Sequence, residues 1–207
     1  MKRAAVAVIG GGVMGASVAY HLAAAGQRDV LVLDRAHGPG GGSTGRATGG
    51  FRAQYGTAIN VRLSLLARAK LEAFRDETGV DPGYVRAGYL WLAVSQAELD
   101  TLDAGRQVQH AEGLHEAVGV TAEQIGRINP AIRLDGIVGG AFCPSDGFIR
   151  PLQILDGYLA AAARLGVRVA WGVVVTGFRR AADGRIEEVE TSNGPIAVDA
   201  VVNAAGA

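Results

Sequence analysis

Apolar and polar positions follow two rhythms along this chain, and the switches between them mark out its elements. Residues 4–9 form a short apolar run that predicts a strand, and a glycine stretch, Gly10-Gly11-Gly12-Val13-Met14-Gly15, follows directly. Met14, Val18 and Leu22 among many alanines predict a helix over about 13–25, with Gly26 suited to its cap. Residues 30–34 are a second apolar run ending in Asp34, so the chain opens as strand, glycine turn, helix, strand. Over 57–76, Val61, Leu65, Ala69 and Phe74 recur at helical spacing, with Arg62, Arg68, Lys70, Glu72 and Arg75 forming a solvated face. Asp81-Pro82-Gly83 ends that helix in a turn. Residues 84–94, centred on Tyr89-Leu90-Trp91-Leu92, predict a strand. Ser95 with Glu98 reads as a capping box opening a helix to about 112, and Thr121 with Gln124 opens a shorter one stopped near Pro130. Residues 137–143 predict a strand, and Pro151 suits the first position of a helix carrying Leu152, Leu155, Leu159 and Ala162. A β meander is predicted from there: strands at 167–171, 173–178, 186–191 and 196–198, the last after the hairpin signal Asn193-Gly194. Residues 200–203 form a final apolar strand leading into Ala204-Ala205-Gly206-Ala207.

The opening pattern carries chemistry. Gly10 permits a tight turn out of the strand, Gly12 has no Cβ to hold a pyrophosphate off the backbone, and Gly15 permits close helix packing. The helix N-terminus at Val13 and Met14 offers N–H groups and a partial positive charge to phosphates. Asp34, nineteen positions after Gly15 and followed by Arg35, is placed to accept hydrogen bonds from a ribose. The pattern predicts a dinucleotide site; the plainer reading is a tight turn without a ligand. A second glycine-rich stretch covers 35–50, with Ser43-Thr44 at its centre. It reads either as a flexible linker or as a second backbone cradle in which Ser43 or Thr44 reaches a phosphate. The cradle fits better, because a linker would separate the first βαβ half from the helix after it.

Composition narrows the field. Lys plus Arg and Asp plus Glu are equal at 20 each, which argues against a nucleic-acid surface and gives no pull toward an anionic membrane. The single Cys143 excludes an internal disulfide or a multi-cysteine metal site, fits a reducing compartment, and reads as a packed thiol. His110 and His115 read as a surface pair and His21 as packed or surface, so no metal site is expected. Lys2-Arg3 before an apolar stretch mimics a secretory signal, but three glycines interrupt it and the pattern continues into Asp34. No run approaches the length of a membrane span.

Gly10 to Gly15, Asp34, Gly42-Ser43-Thr44-Gly45 leading to Phe51-Arg52, Asp146-Gly147-Phe148-Ile149-Arg150-Pro151 and Asn203-Ala204-Ala205-Gly206-Ala207 stand in a telling order. Together they resemble the D-amino-acid oxidase superfamily of FAD-dependent oxidoreductases, with sarcosine oxidase β-subunit, glycine oxidase and dimethylglycine dehydrogenase as neighbouring branches. The resemblance implies an α/β architecture: a Rossmann-like FAD/NAD(P)-binding fold of glutathione reductase type, with a β meander and a partial inserted substrate domain. It also implies that the chain covers roughly the N-terminal half of such an enzyme. The expected division is a first FAD-binding part over 1–83, a partial substrate domain over 84–148, and a second FAD-binding part over 149–207. By resemblance, Gly10, Gly12, Val13, Met14 and Gly15 hold the pyrophosphate of FAD, and Asp34 with Arg35 meets the adenosine ribose. Gly42, Ser43 and Thr44 meet the pyrophosphate from the second loop. Val175 takes the place where backbone groups bind adenine, and Ala204, Ala205 and Gly206 pass close to the dinucleotide. Arg52 falls where the family often places a basic residue near the flavin, which makes it the catalytic candidate; its alternative is a structural ion pair. Arg46 stands where the dimethylglycine dehydrogenase branch has a flavin-linking His, so a noncovalent cofactor is expected.

The implied reaction is oxidation of a carbon–nitrogen bond in an amino acid or secondary amine, by hydride transfer to flavin N5. The substrate is then a small amino acid or amine, a partner subunit or electron carrier is possible, and the location is cytoplasmic. Two rivals stay open. One is an NAD-dependent dehydrogenase, since the opening motif serves both dinucleotides. The other is a noncatalytic FAD-binding fragment or subunit that needs a partner chain.

Overall fold

The computed structural model describes residues 2–206, which divide into two compact units. The first gathers residues up to 48, then 74–82, then 150 onward; the second gathers 49–73 and 83–149.

The first unit is built on strands β1 (Arg3–Ile9), β2 (Val30–Asp34), β8 (Arg168–Trp171), β9 (Val175–Arg180), β10 (Ile186–Thr191) and β11 (Ile196–Asn203). Their order across the sheet is β8-β2-β1-β11-β10-β9. β8, β2, β1 and β11 run parallel, and β10 and β9 continue antiparallel as a hairpin edge. Val30 to Leu33 are all buried, as a parallel strand covered on both faces requires. Val6, Val8, Val30 and Val32 face one side, where Ala19 of α1 (Val13–Ala24) and Ala162 of α6 (Pro151–Arg164) pack on them. Leu31, Leu33, Val189, Ile196 and Val198 form the core on the other side. Pro151 occupies the first turn of α6, as expected.

Two expectations about the meander are corrected. The strand at 168–171 does not belong to it: β8 pairs parallel with β2 at the opposite edge, with Trp171 beside Asp34. Residues 196–198 and 200–203 are one strand, β11, which pairs antiparallel with β10 at its start and parallel with β1 along its length. The polar break at Asp199 is not a strand end. Asp199 points to solvent, where its carboxylate accepts two hydrogen bonds from Arg3 at 2.8 and 2.9 Å.

In the second unit, β4 (Tyr89–Ala93), β6 (Gly139–Cys143) and β5 (Val118–Val120) form an antiparallel sheet in the order β4-β6-β5. β3 (Gly50–Phe51) pairs with β7 (Gly147–Phe148). The core gathers Ala53, Val61, Leu114, Ala117 and Cys143. These contacts bring 49–73 into the second unit, so it reaches back before residue 84. Helix α3 (Ala58–Thr78) runs through the boundary, with Val61 in this core and Phe74 edge-on to Tyr158 in the first unit. The strand expected over 84–94 is confined to β4; ahead of it only Val85 forms a bridge, to Phe148. Helices α4 (Gln96–Ala111) and α5 (Ala122–Ile128) start at their predicted caps. Thr121 and Gln124 make the reciprocal capping box. Ser95 accepts from Glu98 N, but the Glu98 carboxylate turns to Val94 N at 2.8 Å, so that box is not closed.

Candidate functional site

Gly10 ends β1 with φ +104°, and its N–H donates to Leu33 O at 2.8 Å. A Cβ there would stand 2.2 Å from Ala204 O, so only glycine lets the chain after β11 pass this close. Ala204 N in turn donates to Ile9 O at 2.8 Å, which pins Ala204 and Ala205 against the turn. Gly15 is tighter still: a Cβ would lie 1.8 Å from Gly10 O. It therefore packs α1 onto the glycine turn itself, a more local reason than the helix–sheet packing expected from sequence. Gly12 is the extended N-cap of α1, which has no side-chain cap and no acidic residue in its first turn. Met14, in that first turn, is 68% exposed.

The second glycine stretch repeats the design. Gly40, Gly42 and Gly45 have the spacing of Gly10, Gly12 and Gly15. Gly40 has φ +81°, Gly42 is the extended N-cap of the short helix α2 (Ser43–Arg46), and a Cβ on Gly45 would stand 2.0 Å from Gly40 O. The repeated spacing is itself a signal in the sequence, beyond the glycine richness of 35–50. The two turns are joined, since Val13 N donates to Thr44 Oγ1 at 3.1 Å. Thr44 thus has one lone pair committed to α1, while Ser43 is exposed beside it. This is a built cradle rather than a linker, and its backbone geometry fits a diphosphate: two helix starts whose N-cap residues are glycines without a capping side chain, and no acidic residue in either first turn.

Asp34 faces this cradle. Its Oδ2 accepts from Gly11 N at 2.6 Å and its Oδ1 from Ala36 N at 2.7 Å. The carboxylate therefore fixes the glycine turn, a task the sequence did not announce, and keeps lone pairs for a further donor. Trp171 covers the same spot, its ring 2.7 Å from where a Gly11 Cβ would be. Nothing in the sequence linked Trp171 to Gly11; the parallel pairing of β8 with β2 does. Val173 N donates to Asp34 O at 2.9 Å, and two residues later Val175 opens β9 at the far edge of the sheet. Arg35 is exposed, and Gly206 takes φ +83° just after Ala205. The structure thus brings together Gly10, Gly12, Val13, Gly15, Asp34, Thr44, Ala204 and Ala205, with Gly42 and Ser43 adjoining. Val175 stands apart on its edge strand.

Arg52 lies in the second unit, in a box of rings: its guanidinium carbon is 4.9 Å from the ring centre of Tyr55, 5.2 Å from Trp91 and 5.8 Å from Tyr89. Its Nε is buried without a hydrogen-bond partner. Burial acts to lower the Arg52 pKa, but the hydroxyls of Tyr89 and Tyr55 outweigh it and the balance is a raise. An ion pair to Arg52 is absent among the described residues' salt bridges, so its charge sits among the ring faces and the Tyr55 and Tyr89 hydroxyls. Cys143 is buried, with its thiol pKa pushed up by that burial. Among the described residues no group of three or more His, Cys, Asp or Glu could hold a metal ion. None of the described helices is long and apolar enough to cross a membrane.

The family model described as FAD dependent oxidoreductase matches residues 5–207. The chain is 33% identical over 207 residues to the mitochondrial dimethylglycine dehydrogenase of Rattus norvegicus, covering 99% of this chain and 24% of that protein. It is 29% identical to the glycine oxidase of Geobacillus kaustophilus, covering 98% of this chain and 54% of that one. The crystal structure of L-proline dehydrogenase from P. horikoshii superposes with a TM-score of 0.91 at 26% identity, covering 100% of this chain and 54% of that one. The chain thus spans about a quarter to a half of the proteins it matches. With its fold and nearly its whole length accounted for in this way, the chain belongs to the FAD-dependent oxidoreductase family.

Proposed function

We propose that the protein carrying this chain binds FAD noncovalently and oxidises the C–N bond of an amino acid or secondary amine. The observation that carries the reading is the doubled cradle: Gly10/Gly12/Gly15 and Gly40/Gly42/Gly45, tied together by Val13 N and Thr44 Oγ1. In this reading Gly10, Gly12, Val13, Met14 and Gly15, with Gly42, Ser43 and Thr44, receive the pyrophosphate. Asp34 and Arg35 meet the ribose, Val175 lies toward the adenine, and Ala204, Ala205 and Gly206 line the chain's passage past the dinucleotide. Bound FAD supplies the two-electron acceptor. Arg52 supplies a fixed positive charge for the substrate carboxylate, and its ring box keeps water from competing for it. A small amino acid or amine is the substrate class, and electrons pass to oxygen, a carrier or a partner subunit. A reducing, cytoplasmic location is part of the proposal, supported by the single, buried Cys143.

The test is spectroscopic. The purified protein is expected to be yellow with flavin absorbance, and to bleach anaerobically when glycine, sarcosine, dimethylglycine or proline is added. A colourless protein that also refuses added FAD overturns the reading.

A further inference from the structure

The Asp146-Gly147 segment has no part in the function proposed so far, yet it holds the most completely buried acid of the second unit. Asp146 is 0% exposed. One oxygen accepts from Ala53 N at 2.8 Å and the other from Gln54 Nε2 at 3.2 Å, so both grip the residues that directly follow Arg52. Gln54 Nε2 also donates to Tyr89 O at 2.9 Å. Tyr89 and Trp91, two apart on β4, put their rings on one face of the strand with centres 5.4 Å apart, and both rings lie against the Arg52 guanidinium. The backbone of Asp146 reinforces the same link, its carbonyl accepting from Gly88 N at 2.8 Å.

We propose that Asp146 is a positioning residue for Arg52: through Ala53 and Gln54 it fixes the Arg52 loop to the strand whose rings surround the guanidinium. The inference rests on the reading of Arg52 as the receiver of the substrate carboxylate. The guanidinium is surrounded by the rings of Tyr55, Tyr89 and Trp91 and steadied by the Tyr55 and Tyr89 hydroxyls, and a carboxylate partner is absent among the described residues' salt bridges. Its aim comes from the backbone that carries it and from the strand that carries the rings, and Asp146 is bonded to the first and, through the Gln54 amide, to the second.

Asp146→Asn tests it. An asparagine keeps the acceptor for Ala53 N but sets an NH2 group against Gln54 Nε2, which breaks the relay to Tyr89. The measurements are the dissociation constant for acetate, a non-reacting carboxylate, by calorimetry, and KM and kcat for the best amino-acid substrate, all on the flavin-loaded protein. Arg52→Ala is expected to weaken acetate roughly a hundredfold and Asp146→Asn roughly tenfold. Both variants raise KM more than they lower kcat, and flavin content is retained. In the Arg52→Ala background, Asp146→Asn costs nothing further. If Arg52→Ala leaves acetate binding unchanged, the Arg52 reading falls. If Arg52→Ala weakens acetate but Asp146→Asn does not, or weakens it equally without Arg52, the positioning role alone is overturned. Should Asp146→Asn fail to fold, Gln54→Met cuts the same relay and carries the same expectations. Failure of both to fold also overturns the proposal, because Asp146 is then a determinant of the fold rather than of Arg52.

Discussion

At the scale of single residues, two carboxylates of the second unit respond to pH in opposite senses. Burial raises the Asp146 pKa above its ordinary value, and the hydrogen bonds from Ala53 N–H and Gln54 only partly offset it. The native state then holds this proton more tightly than the unfolded chain. Stability therefore falls as pH rises from the ordinary Asp value, about 3.9, to the raised native one. Glu116 is the converse. Burial again acts upward, but hydrogen bonds from its own backbone N–H, from Ser145 and from Arg68 outweigh it and the pKa is lowered. Its contribution is present above about pH 4.3 and is lost as pH falls through the lowered value. Thermal melts across this range are expected to show the falling limb flattened in Asp146→Asn and the acid-side loss flattened in Glu116→Gln. Unchanged pH profiles in both variants contradict these assignments.

Among the elements, helix starts were the most legible in sequence, because a cap is a local signal. Thr121 and Gln124 close their box with bonds of 2.8 and 3.3 Å, and Ile125 behind them is fully buried. Thr121→Ala is therefore expected to cost about 0.5–2 kcal/mol by urea denaturation. A cost indistinguishable from zero would show that α5 is held by Ile125 packing alone. The first strand, turn, helix and strand were legible for the same reason, as was the glycine set at 10, 12 and 15. Strand partners were not. β8 has the same apolar look as a meander strand, and only its parallel pairing with β2 puts Trp171 over Gly11. Asp199 reads as a break in β11 because sequence cannot show that β1 lies beside it with Arg3 to pair the carboxylate. The two-residue strands β3 and β7 carry no periodicity at all, yet their pairing sets the loop bearing Arg52 beside the segment bearing Asp146.

For the molecule as a whole, two units divide the proposed work. The first carries a parallel sheet with the doubled glycine cradle, and the second carries an antiparallel sheet with a cation in a ring box. Equal counts of acidic and basic residues give this chain a formal net charge of zero, so the proposed recognition rests on local geometry. The opening motif suits either NAD or FAD; the second cradle at Gly40–Gly45 and the family membership favour FAD. The most direct test is calorimetric titration of the flavin-free protein with FAD and, separately, with NAD. FAD is expected to bind and NAD not to, with FAD binding lost in Gly15→Ala, whose new methyl would stand 1.8 Å from Gly10 O. Tighter binding of NAD than of FAD, or a Gly15→Ala protein that takes FAD as well as the parent does, would contradict the account.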